Sequence, residues 1–192
     1  MTADELSAMT DEALNVVTDW LLSASSQVGS EYIQLPVAGQ EEPEYRERVY
    51  CYELYHWWRY HWPASYEFSL SGEVDKSGHR LIRGSPKPDF LVHVPGQMRN
   101  LLVLEVKSKN ADVAKMADDL IKLTRFRREL GQQANYHAAY FWIYGASEMD
   151  WHLLRAQILN NKVANTRDID LSLISCFVHE RAGIPAVRVD WR

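Results

Sequence analysis

The stretch from Lys87 to Lys107 constrains the fold more than any other part of the chain. It contains two apolar segments, Phe90 to Val94 and Leu101 to Val106, which are separated by a Pro-Gly pair. Short segments rich in β-branched residues and joined by such a reversal predict two neighbouring antiparallel strands. We therefore expect the chain to fold around a β-hairpin.

Each predicted strand carries an acid at one end, Asp89 on the first and Glu105 on the second. Side chains alternate between the faces of a strand, so Glu105 and Lys107 point the same way while Val106 points into the core. An acid and a lysine at the rim of a small sheet contribute little to stability alone. They suit a hard divalent cation held beside a proton acceptor.

Pro88-Asp89 followed by Glu105-Val106-Lys107 resembles the signature of the PD-(D/E)XK nuclease superfamily. The resemblance spans roughly residues 45 to 145 when the flanking helices are included. It implies an α/β (α+β) protein with the restriction-endonuclease-like fold, a central mixed sheet flanked by helices. We expect residues 1–44 to form a helical appendage with a connector, and residues 45–192 to form the nuclease-like domain.

The resemblance also implies a site for Mg²⁺ or Mn²⁺. The metal ligands would be Asp89, Glu105 and the backbone carbonyl of Val106, a set of hard oxygen donors. Lys107 would orient or deprotonate the attacking water and hold a phosphate oxygen. Asp89, Glu105 and Lys107 are thus predicted catalytic residues, and Val106 is predicted only as a metal ligand.

A glutamate on the first core helix often completes this site in the family. The predicted helix over residues 44–61 has Glu53 as the only acid within its aromatic run, and a carboxylate buried there needs a partner. We therefore assign Glu53 to the site and keep Glu47, a first-turn acid, in reserve. The alternative is a Glu53 salt bridge to Arg59 or His56.

The helix predicted after the motif, over residues 112–130, carries the only local concentration of positive charge. Such a face is often simply solvated, and this alternative stays open. Its position directly after the motif favours contacts with a phosphate backbone. The candidate nucleic-acid-binding residues are Lys115, Lys122, Arg125 and Arg128.

The remaining chain shows ordinary alternation of helices and strands. Thr10 is predicted to cap the N-terminal helix. The acidic turn with Glu73, Asp75 and Lys76 is either a polar hairpin end or a second supply of carboxylates or a substrate contact near the site. The other predicted elements are a helix over 1–26, a connector over 25–44, strands at 66–70, 81–82, 137–145, 173–178 and 186–191, and a helix over 148–161.

Composition narrows the class of protein. The net charge of −5 argues against tight non-specific binding to DNA, and no apolar run reaches membrane length. Cys51 and Cys176 show no metal or redox spacing and are expected to be buried thiols in a cytoplasmic protein. The seven tryptophans and ten tyrosines favour a core of large rings over base stacking. Zinc-enzyme, phosphate-loop and serine-elbow patterns are absent.

The expected function is metal-dependent hydrolysis of nucleic acid, DNA in preference to RNA, in restriction, repair or phage defence. One alternative is a catalytically silent binding module of the same fold that acts with a partner protein. The other is an interaction domain in which Glu105 and Lys107 form a plain ion pair. We expect no association with membranes, and either a homodimer or a complex with a partner protein is compatible with the sequence.

Overall fold

The structure, a computed structural model, describes residues 3–72, 87–128, 135–161 and 168–192. These residues form a six-stranded mixed sheet with helices on both faces. The strands are β1 (Ser69–Gly72), β2 (Phe90–His93), β3 (Asn100–Ser108), β4 (Ala138–Tyr144), β5 (Ile174–His179) and β6 (Val187–Val189). The helices are α1 (Ala3–Ser25), α2 (Ser30–Ile33), α3 (Glu47–His61), α4 (Val113–Arg128) and α5 (Glu148–Asn160).

The strands lie in the sheet in the order in which they occur along the chain. β1, β2 and β3 are antiparallel neighbours, β3, β4 and β5 are parallel, and β6 is antiparallel to β5. In the predicted hairpin, Phe90 pairs with Leu104 and Leu91 with Val103, so this prediction is confirmed. Because β3 and β4 are parallel, the chain between them must cross over one face of the sheet, and α4 forms this crossover.

The sheet separates two hydrophobic cores. Leu102, Leu104 and Val106 of β3 face the core that contains α1 and α3, whereas Val103 faces the core that contains α4 and α5. Glu105 and Lys107 alternate with these residues and therefore share the face of Val103. The prediction that Val106 points into the core is confirmed, since it is fully buried.

The N-terminal helix contributes to the first core. Val17, Leu21 and Ala24 have no exposed surface and pack in the same cluster as α3. α1 begins at Ala3, so the prediction that Thr10 caps it is wrong. The residues before Thr10 include Ala, Glu and Leu, which favour helix and extend it toward the N-terminus.

Other element boundaries also differ from the sequence expectation. α3 begins at Glu47 rather than Glu44, and the strand expected at residues 66–70 begins only at Ser69. The backbone N–H of Tyr66 donates to the carbonyl of Pro63, which keeps that residue in a turn. The strand expected at 81–82 and the acidic turn with Glu73, Asp75 and Lys76 lie outside the described residues.

The general expectations about the core are confirmed. Cys51 and Cys176 are buried thiols, and Trp58, Trp142 and Trp151 are among the largest fully buried side chains. Within the described ranges, no helix combines the length and the apolar character that crossing a membrane requires.

Candidate active site

The predicted acids of the hairpin lie next to each other. Asp89 immediately precedes Phe90, which pairs with Leu104, and Glu105 immediately follows Leu104, so the two acids lie at the same end of the β2–β3 pair. Asp89 Oδ2 accepts a hydrogen bond from the Val106 backbone N–H at 2.7 Å. The β2–β3 pairing therefore fixes both carboxylates near the carboxyl end of β3.

Lys107 is held by three oxygen-bearing groups from three elements. Its Nζ donates to both carboxylate oxygens of Glu47 at 3.0 Å, and to the Val106 carbonyl at 2.9 Å. The same Nζ lies 2.9 Å from Asp119 Oδ2. Glu47 is in the first turn of α3 and Asp119 is in the middle of α4, so Lys107 joins helices on opposite faces of the sheet.

A second lysine, Lys122, bridges Glu105 and Asp119. Lys122 Nζ lies 3.0 Å from Glu105 Oε1 and 2.5 Å from Asp119 Oδ1. Glu105 is 2% exposed and Asp119 4% exposed, so both carboxylates are shielded from water. Together the residues form what we call the acid–lysine cluster: Glu47, Asp89, Glu105, Lys107, Asp119 and Lys122.

The cluster contains more negative than positive charge, with four carboxylates and two ammonium groups. Burial raises the pKa of Asp89 to about 6, although the Val106 N–H and the Lys107 charge oppose this shift. Burial, with the charges of Asp119 and Asp89, also raises the pKa of Glu105 well above its usual value. The acids are therefore poorly stabilised as anions by the protein alone.

The surroundings favour the charged form of Lys107, whereas they favour the neutral forms of Asp89 and Glu105. Burial alone would lower the pKa of Lys107, but the charges of Asp119 and Glu47 outweigh burial and raise it. Lys107 therefore remains an ammonium group across the neutral range, able to donate hydrogen bonds and to stabilise negative charge.

The chemistry of the acids suits a hard divalent cation, although their arrangement is not that of a preformed site. Glu105 Oε1 and Asp119 Oδ2 are buried, and each lies about 3 Å from a lysine ammonium group. Such oxygens are potential metal ligands. Within the described residues, however, no three acidic, histidine or cysteine side chains are grouped closely enough to hold a metal. The lysines occupy the space between the carboxylates.

The structure favours Glu47 over Glu53 as the residue that α3 contributes. Glu53 Oε1 accepts a hydrogen bond from Trp57 Nε1 one turn along the same helix, at 2.7 Å. Residues six positions apart on a helix point in different directions, so Glu47 and Glu53 do not share a face. The alternative, a salt bridge of Glu53 with Arg59 or His56, is not among the ion pairs of the described residues.

The four predicted cationic residues of α4 differ in their surroundings. Lys122 turns into the acid–lysine cluster, and Arg128 pairs with Asp170. Lys115 is exposed and lines a cleft of about 640 Å³ together with Glu47 and Lys107, and Arg125 is also exposed. Only part of the face is therefore directed toward the candidate site.

Asp119 was missed by the sequence analysis. It lies in α4 between Met116, Leu120 and Leu123, which form the buried stripe of that helix. An acid within an apolar helical stripe needs a partner when buried. The argument that singled out Glu53 in α3 applies equally to Asp119, and here the structure supplies the partners.

Comparisons with protein-family models, with curated proteins and with solved structures found no significant match to this chain.

Proposed function

We propose that this protein is a metal-dependent phosphodiester hydrolase that acts on nucleic acid, DNA in preference to RNA, with a site of the PD-(D/E)XK type. The observation that carries this proposal is the proximity of Asp89, Glu105 and Lys107 at the end of β3, where Asp89 accepts the Val106 N–H and its charge acts on both other residues. The adjacent cleft, lined by Glu47, Lys107 and Lys115, gives a substrate access to this end of the sheet.

In the reaction, a water oxygen forms a bond to phosphorus as the water gives up one proton to the solvent, the bond to the leaving sugar oxygen breaks, and that oxygen takes up one proton from the solvent, so that the step is balanced. A Mg²⁺ or Mn²⁺ ion held by Asp89, Glu105 and the Val106 carbonyl would supply Lewis acidity and a more acidic water. Burial and mutual repulsion destabilise the ionised forms of Asp89 and Glu105. A bound cation would stabilise these ionised forms, which supports metal binding here.

Lys107 has a narrower role than the sequence suggested. Because its neighbours raise its pKa, it is a poor base near neutral pH. Its ammonium group instead orients the attacking water or a phosphate oxygen and stabilises the negative charge that develops on the phosphate. Glu47 and Asp119 position Lys107 for this role through their contacts with Nζ.

The second candidate function is a catalytically silent module with the same fold. The two lysines favour this alternative because each bridges two carboxylates and fills the space that a metal would need. In that case the cluster holds α3 and α4 against the sheet and has no chemical step to perform.

Cleavage assays decide between these functions. Plasmid, linear duplex, single-stranded DNA and RNA are incubated with the protein in Mg²⁺, Mn²⁺ or EDTA. We expect cleavage that requires metal and is lost in Lys107→Ala. Lys109→Ala is a matched control, since Lys109 lies just beyond β3 and its ion pair is with Asp150, outside the cluster. Absence of metal-dependent cleavage by the parent on every substrate would contradict the proposal.

Stability must be measured on the same variants. Lys107→Ala leaves the buried Asp119 without one of its two ammonium partners, so we expect the free energy of unfolding to fall by about 2–4 kcal/mol. The assays are therefore run at a temperature where circular dichroism shows the variant to be folded. Loss of stability alone does not distinguish the two functions; loss of cleavage by a folded variant does.

A further inference from the structure

A second cavity lies beside Asp89, on the side of α3. It has a volume of about 320 Å³ and is lined by aromatic, small and acidic residues: Cys51, Tyr52, Tyr55, Gly72, Asp89 and Phe90. The rings of Tyr55 and Phe90 are parallel, with centroids 6.2 Å apart. Ligand sites commonly have this composition, an apolar and aromatic wall with few polar groups, and volumes upward of about 300 Å³.

The exposed face of α3 continues outward from this cavity. Tyr52 is 60% exposed, and Arg48, His56 and Arg59 are exposed on the same helix. Arg48, Tyr52 and His56 follow one another at intervals of four residues and therefore lie along one face. An exposed tyrosine is thus flanked by cationic or potentially cationic side chains.

The acids of α3 each have a partner of their own. The two glutamates of the helix contact Lys107 in one case and Trp57 in the other. The exposed residues of α3 include Arg48 and Arg59 and no acid, although the whole protein carries a net charge of −5.

We propose that the cavity beside Asp89 and the outer face of α3 bind single-stranded nucleic acid, with one unpaired base entering the cavity against Tyr52 and Tyr55. An unpaired base presents a flat apolar surface that can stack on an aromatic ring, whereas in a duplex both faces of a base are already stacked. The arginines of α3 contact the flanking phosphates.

This inference rests on the proposed function and specifies its substrate class. Asp89 lines the cavity and also accepts the Val106 N–H within the acid–lysine cluster. A base held in the cavity therefore brings its neighbouring phosphodiester to the edge of the candidate active site. The substrate is predicted to be single-stranded, or to contain an unpaired nucleotide at the cleavage position.

Gly72 offers a way to close the cavity without disturbing the cluster. A Cβ at Gly72 would lie 3.7 Å from the Tyr55 ring and 3.7 Å from the Asp89 carbonyl oxygen, which is ordinary contact. Gly72→Ala is therefore accommodated, and Gly72→Leu adds a side chain large enough to occupy part of the cavity.

Binding is measured by fluorescence anisotropy with a labelled 12-nucleotide single-stranded DNA in EDTA, so that neither metal nor cleavage contributes. We expect Tyr52→Ala and Gly72→Leu to weaken binding about 5- to 150-fold, the range for loss of one base–aromatic stack. Tyr60→Ala is the matched control, because Tyr60 is 74% exposed on the same helix but does not line the cavity. It should retain the parent affinity, as should Gly72→Ala.

Two further ligands test the role of the base. The blunt duplex of the same sequence should bind more weakly than the single strand, as should a 12-nucleotide strand of abasic sites. The inference is overturned if the parent does not bind the single strand, if duplex binds equally well, or if Tyr52→Ala and Tyr60→Ala lose affinity equally.

The experiment separates this inference from the proposed function. Selective single-strand binding by a protein that cleaves nothing would support the inference and contradict the function. Metal-dependent cleavage whose KM for single strands is unchanged in Tyr52→Ala and Gly72→Leu would support the function and overturn the inference.

Discussion

At the scale of single residues, Asp89 is a carboxyl group that the fold makes less acidic. Burial raises its pKa to about 6, compared with about 4 for an aspartate in an unfolded chain. Between these values the folded protein binds more protons at Asp89 than the unfolded chain does. The free energy of unfolding contributed by Asp89 therefore falls as pH rises from about 4 through about 6, and it stays low at higher pH.

We predict that Asp89→Asn is more stable than the parent at pH 7.5 by about 1–3 kcal/mol, with a smaller difference at pH 4. Asparagine keeps an oxygen that can accept the Val106 N–H but removes the buried charge. Urea denaturation at both pH values measures the difference. Asp118→Asn, at an exposed position of α4, is the matched control and should differ little from the parent.

The same variant reports on metal binding. A cation that binds the folded protein through ionised Asp89 stabilises the parent and not Asp89→Asn. Addition of Mg²⁺ at pH 7.5 should therefore reduce the advantage of the variant. A variant that is less stable than the parent at pH 7.5 without metal would show that the carboxylate is not destabilised by burial.

At the scale of elements, α3 presents two glutamates on different faces, and only Glu47 contacts Lys107. We predict that Glu47→Gln lowers the cleavage rate about 10- to 100-fold, because residues that orient an active-site group have effects of this size. Glu53→Gln should change the rate less than about 2-fold, since glutamine can still accept from Trp57.

This matched pair is measured in Mn²⁺-dependent cleavage at saturating and limiting substrate, with thermal unfolding as a check on folding. Glu47 is a positioning residue, so its loss should reduce kcat more than it changes KM. If Glu53→Gln is the damaging substitution, α3 contributes the residue that the sequence first indicated, and the contact of Glu47 with Lys107 has no catalytic consequence.

At the scale of the whole molecule, a buried polar network joins α3 to the last parallel strands. The Tyr50 hydroxyl accepts from Trp142 Nε1 at 2.7 Å and lies 2.8 Å from His179 Nδ1, and its ring stacks on Tyr144. Tyr50, Trp142 and His179 come from α3, β4 and β5. This network fixes α3, and with it Glu47, against the sheet.

We predict that Tyr50→Phe lowers the free energy of unfolding by about 1–3 kcal/mol, because the buried Trp142 N–H loses its acceptor. Tyr52→Phe on the same helix, where the side chain is exposed, should lie within about 0.5 kcal/mol of the parent. Urea denaturation followed by tryptophan fluorescence makes the comparison. Equal losses in the two variants would show that the network contributes nothing beyond ring packing.

Local sequence patterns were sufficient to predict the central hairpin. The alternation along β3 set Glu105 and Lys107 on one face and Val106 on the other, because a strand repeats every two residues whatever surrounds it. The short reversal between the strands also predicted that Asp89 and Glu105 lie at the same end of the hairpin. These features are confirmed since each depends on residues close together in the chain.

What only the tertiary structure decided is which distant residues complete the site. Glu47, Asp119 and Lys122 lie on α3 and α4, and their contacts with Lys107 and Glu105 depend on how the helices pack against opposite faces of the sheet. Burial of both faces of β3 also set the pKa directions of the cluster. Sequence by itself determined the hairpin and the face on which each strand residue lies, because the periodicity of a strand is local. The contact partners and pKa shifts of the acid–lysine cluster required the tertiary structure, because they depend on how distant elements pack together.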